Sequence, residues 1–174
     1  MVLPVHHTRI GLWLAWIMLL SLVVLGCTSG VVVVDGDTVR LSNGDRVRYI
    51  GIDTPEMDEP YYEEARSANR RLIEGEKIRL EADITDKDKF GRLLRYVYAD
   101  DTFVNAELAR RGYALVYRQD RFPDNKFYDV FKEAADEAAA NGRGIWSMDP
   151  PHPKLQEHPE DYYLPHTLLL ALGS

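Results

Sequence analysis

Histidine is absent from the body of this chain. Its five residues are His6, His7, His152, His158 and His166, and none falls between Cys27 and Ser147. Cysteine is nearly absent as well. Cys27 stands alone, which excludes an intrachain disulfide. Ser-His-Asp, Cys-His and paired-His mechanisms therefore have no parts here, and neither does a Cys/His zinc site. Any hydrolytic chemistry in this body must use carboxylates, Arg, water and a hard cation. Positive charge is also short. Against 28 Asp and Glu stand 21 Lys and Arg, for a formal charge of -7. That balance argues against a broad basic face for gripping duplex DNA, while leaving room for a local pair of Arg at a phosphate.

One long apolar run is present, Ile10 to Gly26, after a polar start that holds His6, His7 and Arg9. It ends Val24-Leu25-Gly26-Cys27, which resembles the lipobox of a prokaryotic lipoprotein signal, with Leu25 bulkier than is usual at its place. Two readings follow. Residues 1–26 are a signal peptide that leaves Cys27 lipidated, or they are an uncleaved anchor, since the run is close to the length that spans a bilayer. Both put the rest of the chain outside the cytoplasm at a membrane surface. Only Thr28-Ser29-Gly30 separate Cys27 from Val31, so the domain is expected to sit close to the lipid.

The remaining length suits one domain, residues 27–147, followed by a tail, residues 148–174. Val31 to Val34 is a β-branched run and predicts a strand. Thr38 to Leu41 and Arg46 to Ile52 predict two more, joined by the hairpin dipeptide Asn43-Gly44. Tyr62 to Ile73 has apolar residues at helical spacing and Gly75 beyond its end. Lys77 to Ala82 and Arg92 to Tyr98 alternate as strands. Val104 to Arg111 predicts a short helix, Tyr113 to Tyr117 a short strand, and Asn125 to Asn141 a third helix. Strands in hairpins with three helices fit an α+β, mainly β domain: a five-stranded OB-fold Greek-key barrel. The tail is rich in Pro and shows no period, so it is expected to be irregular and disordered. Its three scattered His match no tight metal spacing.

Acidic and basic residues gather on the short segments between these elements. Asp35-Gly36-Asp37-Thr38, then Arg48, then Asp53-Thr54-Pro55-Glu56 lie within 22 residues, and Phe90-Gly91-Arg92 follows. Oxygens of this kind can hold a hard divalent cation, and Arg forks can hold a phosphate. Each residue also has a plain structural reading. Asp35-Gly36 is turn chemistry, Asp53 before a Pro loop is an Asx-type turn, and Arg48 between Val47 and Tyr49 is a solvated strand residue. Glu56 and Arg92 read singly as surface charges. Asp37 is harder to explain that way, because the turn does not require a second Asp after the Gly.

Taken in order, the motifs Val-Asp-Gly-Asp-Thr, Arg-x-x-x-x-Asp-Thr-Pro-Glu, Phe-Gly-Arg and Gly-x-Trp-Ser (Gly144 to Ser147) resemble the staphylococcal nuclease, or thermonuclease, family over about Val31 to Ser147. Asp100 and Asn105 fit the same pattern. The resemblance implies a calcium-dependent nuclease acting on DNA and RNA with little base preference and a Ca2+ cofactor; with the leader read above, a monomer tethered outside the membrane is expected. It implies that Asp37 and Asp53 are metal carboxylates and that Thr54 lends a backbone carbonyl. It implies that Glu56 handles the attacking water and that Arg48 and Arg92 grip the scissile phosphate. Asp35 falls just outside the metal shell, Tyr117 at the nucleotide pocket and Lys89 near a terminal phosphate. Phe90 stands where the family often has Tyr, and the loop after Glu56 is short. The alternative is a non-catalytic OB-fold module that holds nucleic acid at the cell surface without cutting it.

Overall fold

The first hairpin shows how local sequence sets the frame. Asn43 accepts from the Asp45 amide (3.0 Å) and donates to the Asp45 carboxylate (2.8 Å), while Gly44 takes φ +92. This turn pairs β2 (Thr38–Leu41) with β3 (Arg46–Tyr49), Val39 opposite Val47 and Thr38 opposite Arg48. Val39 and Val47 thereby share the buried face. The computed structural model describes residues 30–121 and 125–168. The leader, residues 1–26, and the lipidation candidate Cys27 lie outside the described residues. Among the described residues no helix is long and apolar enough to cross a membrane.

β1 (Val31–Val33) extends the sheet beyond β2. On the other side β3 pairs in parallel with β6 (Leu93–Ala99), which pairs antiparallel with β5 (Ile78–Glu81), giving the order β1-β2-β3-β6-β5. A parallel pair needs a crossover, and here α1 (Tyr62–Ile73) and β5 make it. The five strands of this order match the five-stranded OB-type arrangement that the sequence predicts. β7 (Thr102–Phe103) adds to β6, and a second small sheet pairs β4 (Ile52–Asp53) with β8 (Leu115–Val116).

α2 (Val104–Arg110) and α3 (Tyr128–Ala140) close the core with α1. Ala68 and Ile73 of α1, Leu108 of α2, and Phe131 and Ala134 of α3 are buried in one cluster with Val47, Ile52, Tyr96 and Val116. Buried Asn105 ties the parts together, accepting from the Val97 amide (2.9 Å) and donating to the Ile50 carbonyl (3.0 Å). Beyond α3 a 3-10 turn, Gly144–Ser147, docks through the Ile145 amide on the Gly112 carbonyl (2.9 Å). The backbones meet so closely there that a Cβ on Gly112 would lie 2.1 Å from the Arg143 carbonyl oxygen.

The structure departs from the sequence expectation in three places. The strand expected to run from Arg46 to Ile52 breaks at Ile50 and Gly51, where Gly51 takes φ +79, so β3 and β4 belong to different sheets. Val130 of α3 faces outward at 38% exposure, although the sequence places it at helical spacing with Phe127, Phe131 and Ala134. Most consequentially, the tail is ordered through residue 168. It forms α4 (Pro153–Glu157) and a 3-10 turn, Pro159–Asp161. Leu155 and Tyr162 pack with Leu115 and Ile145 in a second small core. Tyr162 lies along β8 opposite Tyr117, and the Tyr163 amide bonds to the Val116 carbonyl (2.8 Å). Strand-edge pairing and a few apolar anchors replace the periodic face that the tail lacks.

Candidate active site

Three short segments meet where β2, β3 and β4 end. Asp37 arrives on the turn before β2. Its amide donates to the Asp35 carboxylate (3.1 Å), so Asp35 shapes the turn rather than the pocket. Gly36 lets this turn press on the Thr54 loop, since a Cβ there would fall 2.6 Å from Thr54 Oγ1. The Asp37 carboxylate then accepts from the Thr54 amide (2.7 Å) and hydroxyl (3.0 Å). Asp53 ends β4 and is buried, as are Asp37 and Thr54.

Arg48 stands between the two carboxylates. It contacts Asp37 Oδ2 at 3.1 Å and Asp53 Oδ1 at 2.7 Å, and it donates to the Tyr49 and Ile52 carbonyls at 3.0 and 2.8 Å. At 9% exposure it is no solvated strand residue. Burial would favour losing its charge, but Asp37 and Asp53 outweigh that and hold the guanidinium firmly charged. From its other side Arg48 lines a cavity of about 410 Å³, with Asp88, Lys89, Phe90, Arg92 and Tyr117 among the other walls. Arg92 is aimed by Asp88, which accepts from its Nε (2.6 Å) and its amide (2.9 Å). Burial raises the Asp88 carboxyl, yet the Arg92 contacts bring it below its ordinary range. Phe90 is 71% exposed at the rim, with Lys89 Nζ 5.0 Å from its ring centre.

Asp37, Arg48, Asp53 and Thr54 are thus brought into direct contact, and Arg92, Lys89 and Tyr117 share a cavity with Arg48. Glu56 lies apart from them. It is exposed, and its amide donates to the Glu59 carboxylate (2.6 Å).

Two further site residues come from the tail. Lys154 Nζ lies 2.6 Å from Asp53 Oδ2 and 2.8 Å from the Thr54 carbonyl oxygen. The Tyr162 hydroxyl donates to the same Asp53 oxygen at 2.7 Å, and its ring stacks on Tyr117 at 5.2 Å. Burial and then Asp53 keep that hydroxyl protonated, as a donor. His152 is fully buried beside them, with Nε2 3.3 Å from the Pro60 carbonyl and Nδ1 3.3 Å from the Lys154 amide. Burial lowers its pKa, which fits a neutral ring that donates from one nitrogen and accepts at the other. No motif marks these residues. Their only sequence signal is a lone Lys and paired Tyr in a Pro-rich stretch.

The electrostatics test whether a divalent cation fits. Burial pushes the Asp37 carboxyl up to about 7, with Arg48 countering only in part and Asp53 and Asp35 adding to the rise. Asp53 goes the other way. Burial raises it too, but Arg48 and Lys154 together bring it below its ordinary range. The difference arises because Lys154 and Tyr162 serve Asp53 alone. Two buried carboxylates share one guanidinium, and the chain itself delivers a second cation to Asp53 and the Thr54 carbonyl. Hard carboxylate and carbonyl oxygens around that position suit calcium.

Fold and site together define an OB-type barrel with an oxygen-lined cation position beside a cavity walled by two Arg. The chain belongs to the staphylococcal nuclease family: the model of that family, the staphylococcal nuclease homologue, matches residues 46–148. The SPbeta prophage-derived endonuclease YokF of Bacillus subtilis is 42% identical over 127 residues, spanning 67% of this chain and 42% of that protein. Endonuclease YncB of the same organism is 40% identical over 125 residues, 66% of this chain and 58% of its own length. Thermonuclease of Staphylococcus intermedius is 36% identical over 124 residues, 66% of this chain and 72% of its own length. The chain thus spans about half the length of the two Bacillus relatives.

Proposed function

We propose that this protein is a calcium-dependent nuclease that hydrolyses phosphodiesters of DNA and RNA with little base preference. The observation that carries the reading is the buried cluster of Asp37, Asp53 and Thr54, in which an ammonium already sits on Asp53 and the Thr54 carbonyl, beside Arg48, which shares a cavity with Arg92. Asp37, Asp53 and Thr54 would hold calcium, which when bound supplies charge stabilisation at the phosphoryl oxygens and favours a hydroxide nucleophile. The chain's own residues do the rest. Arg48 is preset by two carboxylates and two carbonyls, so it meets a phosphate without reorganising. Arg92, aimed by Asp88, offers a second fork to the same cavity. Glu56, three residues beyond Asp53, takes the proton of the attacking water once its exposed turn closes over substrate. Phe90 and Tyr117 offer rings that stack with any base, which fits weak base preference. Water attacks phosphorus and the 5′ oxygen leaves, giving 3′-phosphate ends.

Labelled DNA and RNA incubated with the full-length chain test this directly. Cleavage in calcium that stops with a chelator is the expected result. Substrate bound but intact in calcium overturns it in favour of a binding module.

The protein acts as a monomer held at the outer face of the cytoplasmic membrane through its N-terminal segment, with Cys27 as the acylated residue. Cells fed labelled fatty acid should label the wild-type chain and not Cys27→Ala. Label retained in Cys27→Ala overturns the acylation.

A further inference from the structure

The tail residues at the pocket have no part in the proposed chemistry, and their contacts are opposed to it. Lys154 bonds to Asp53 and to the Thr54 carbonyl, two of the three groups assigned to the cation. Tyr162 bonds to the same Asp53 oxygen as Lys154. A carboxylate oxygen accepts about two hydrogen bonds, so Asp53 Oδ2 is saturated. These two donors come from one segment of chain, and Arg48 occupies the other Asp53 oxygen.

We propose that the segment from His152 to Tyr162 is a latch built into the fold, holding the Lys154 ammonium on oxygens that calcium needs, so that Lys154 and calcium compete for them. This rests on the calcium reading above.

The latch is built rather than incidental. His152 anchors its start by burial against the Pro60 loop, and Leu155 and Tyr162 bury themselves against Leu115 and Ile145. The Arg118 amide bonds to the Asp161 carbonyl (3.0 Å), so backbone pairing fixes the far end. Between these anchors the Lys154 side chain is 13% exposed and reaches Asp53, 101 residues away in sequence. The segment also reaches a neighbour of the cavity, because the Tyr162 ring stacks on Tyr117, one of the cavity's lining residues. A ligand base that stacks on that face of Tyr117 must displace Tyr162.

The exchange has a definite driving force. With Lys154 in place, Asp53 faces two positive charges, Arg48 and Lys154, and Glu59 Oε2 lies 3.7 Å from the same ammonium. Calcium brings one more charge than the ammonium to the same oxygens, so it favours the unlatched state. Until it binds, only the unlatched fraction of molecules is competent, and the apparent calcium affinity falls by that fraction.

Calorimetric titration of calcium into the full-length chain and into Lys154→Met tests the latch without reading catalysis. The variant is expected to bind calcium on the order of tenfold more tightly, as it would if about one molecule in ten of the wild type were unlatched. Tyr162→Phe, which leaves the ammonium but frees a lone pair on Asp53, should shift the same way by less. In the wild type, trypsin should cut after Lys154 faster in calcium than in chelator. Equal or weaker calcium binding by Lys154→Met overturns the latch, as does slower cutting after Lys154 in calcium. Calcium uptake by neither protein overturns the metal centre as well, so the two failures are distinguishable.

Discussion

Arg92→Ala is expected to lower the rate of DNA cleavage by about 100-fold or more while leaving the fold intact. A preorganised charge aimed at a developing negative charge is worth that much when removed. Stability should hardly change. Arg92 is partly exposed and its ion pair with Asp88 lies near the surface, where such pairs contribute only about 0–1 kcal/mol. Arg92→Lys should recover little, because a single ammonium cannot reproduce the planar fork. Initial rates on labelled DNA, measured beside a urea unfolding curve for each variant, check both halves. A variant that cuts at the wild-type rate removes Arg92 from the chemistry.

Arg48→Met is expected to fail in the opposite way, through the fold. Arg48 is the buried counter-charge of Asp37 and Asp53, and it also satisfies two carbonyls. Removing one partner of a buried ion pair costs about 3–5 kcal/mol, a large part of the 5–15 kcal/mol that holds a typical domain together. The urea midpoint should drop sharply. Calcium should restore part of the loss, since a ligand at about 100 times its dissociation constant stabilises by about 2.7 kcal/mol. A midpoint within about 0.5 kcal/mol of wild type would mean that the two carboxylates do not depend on Arg48. The two Arg that line one cavity are thus set apart by burial. Arg92 can be deleted to measure chemistry, and Arg48 cannot be deleted without disturbing the pocket that holds it.

What could be read from the sequence follows from where periodic signals exist. The α1 range Tyr62–Ile73 matches the expectation because Ala65, Ala68 and Leu72 repeat at helical spacing. The β2–β3 hairpin was legible because Asn43-Gly44 fits one tight turn. The break between β3 and β4 was not, because Gly51 sat in phase with Val47 and Tyr49 and alternation conceals a residue at positive φ. Asp37, Arg48 and Asp53 were legible as a group, but nothing in their spacing said that Arg48 would lie between the carboxylates. Burial decided that. Lys154 and Tyr162 were invisible as site residues. Their contacts span about a hundred positions, and the stretch that carries them lacks a period of either 2 or 3.6. Low hydrophobicity and many Pro predicted disorder, but two apolar anchors, one buried imidazole and an open strand edge were enough to order it.

The close approach of Gly112 and Gly144 has a bearing far from its own place. It fixes the point from which the last stretch of chain departs, and the ammonium that reaches the carboxylates is launched from there. The span that Lys154 must bridge is therefore set by two missing methyl groups as much as by its own four methylenes. A larger side chain at either glycine would push these two backbone segments apart and shift where the C-terminal stretch departs.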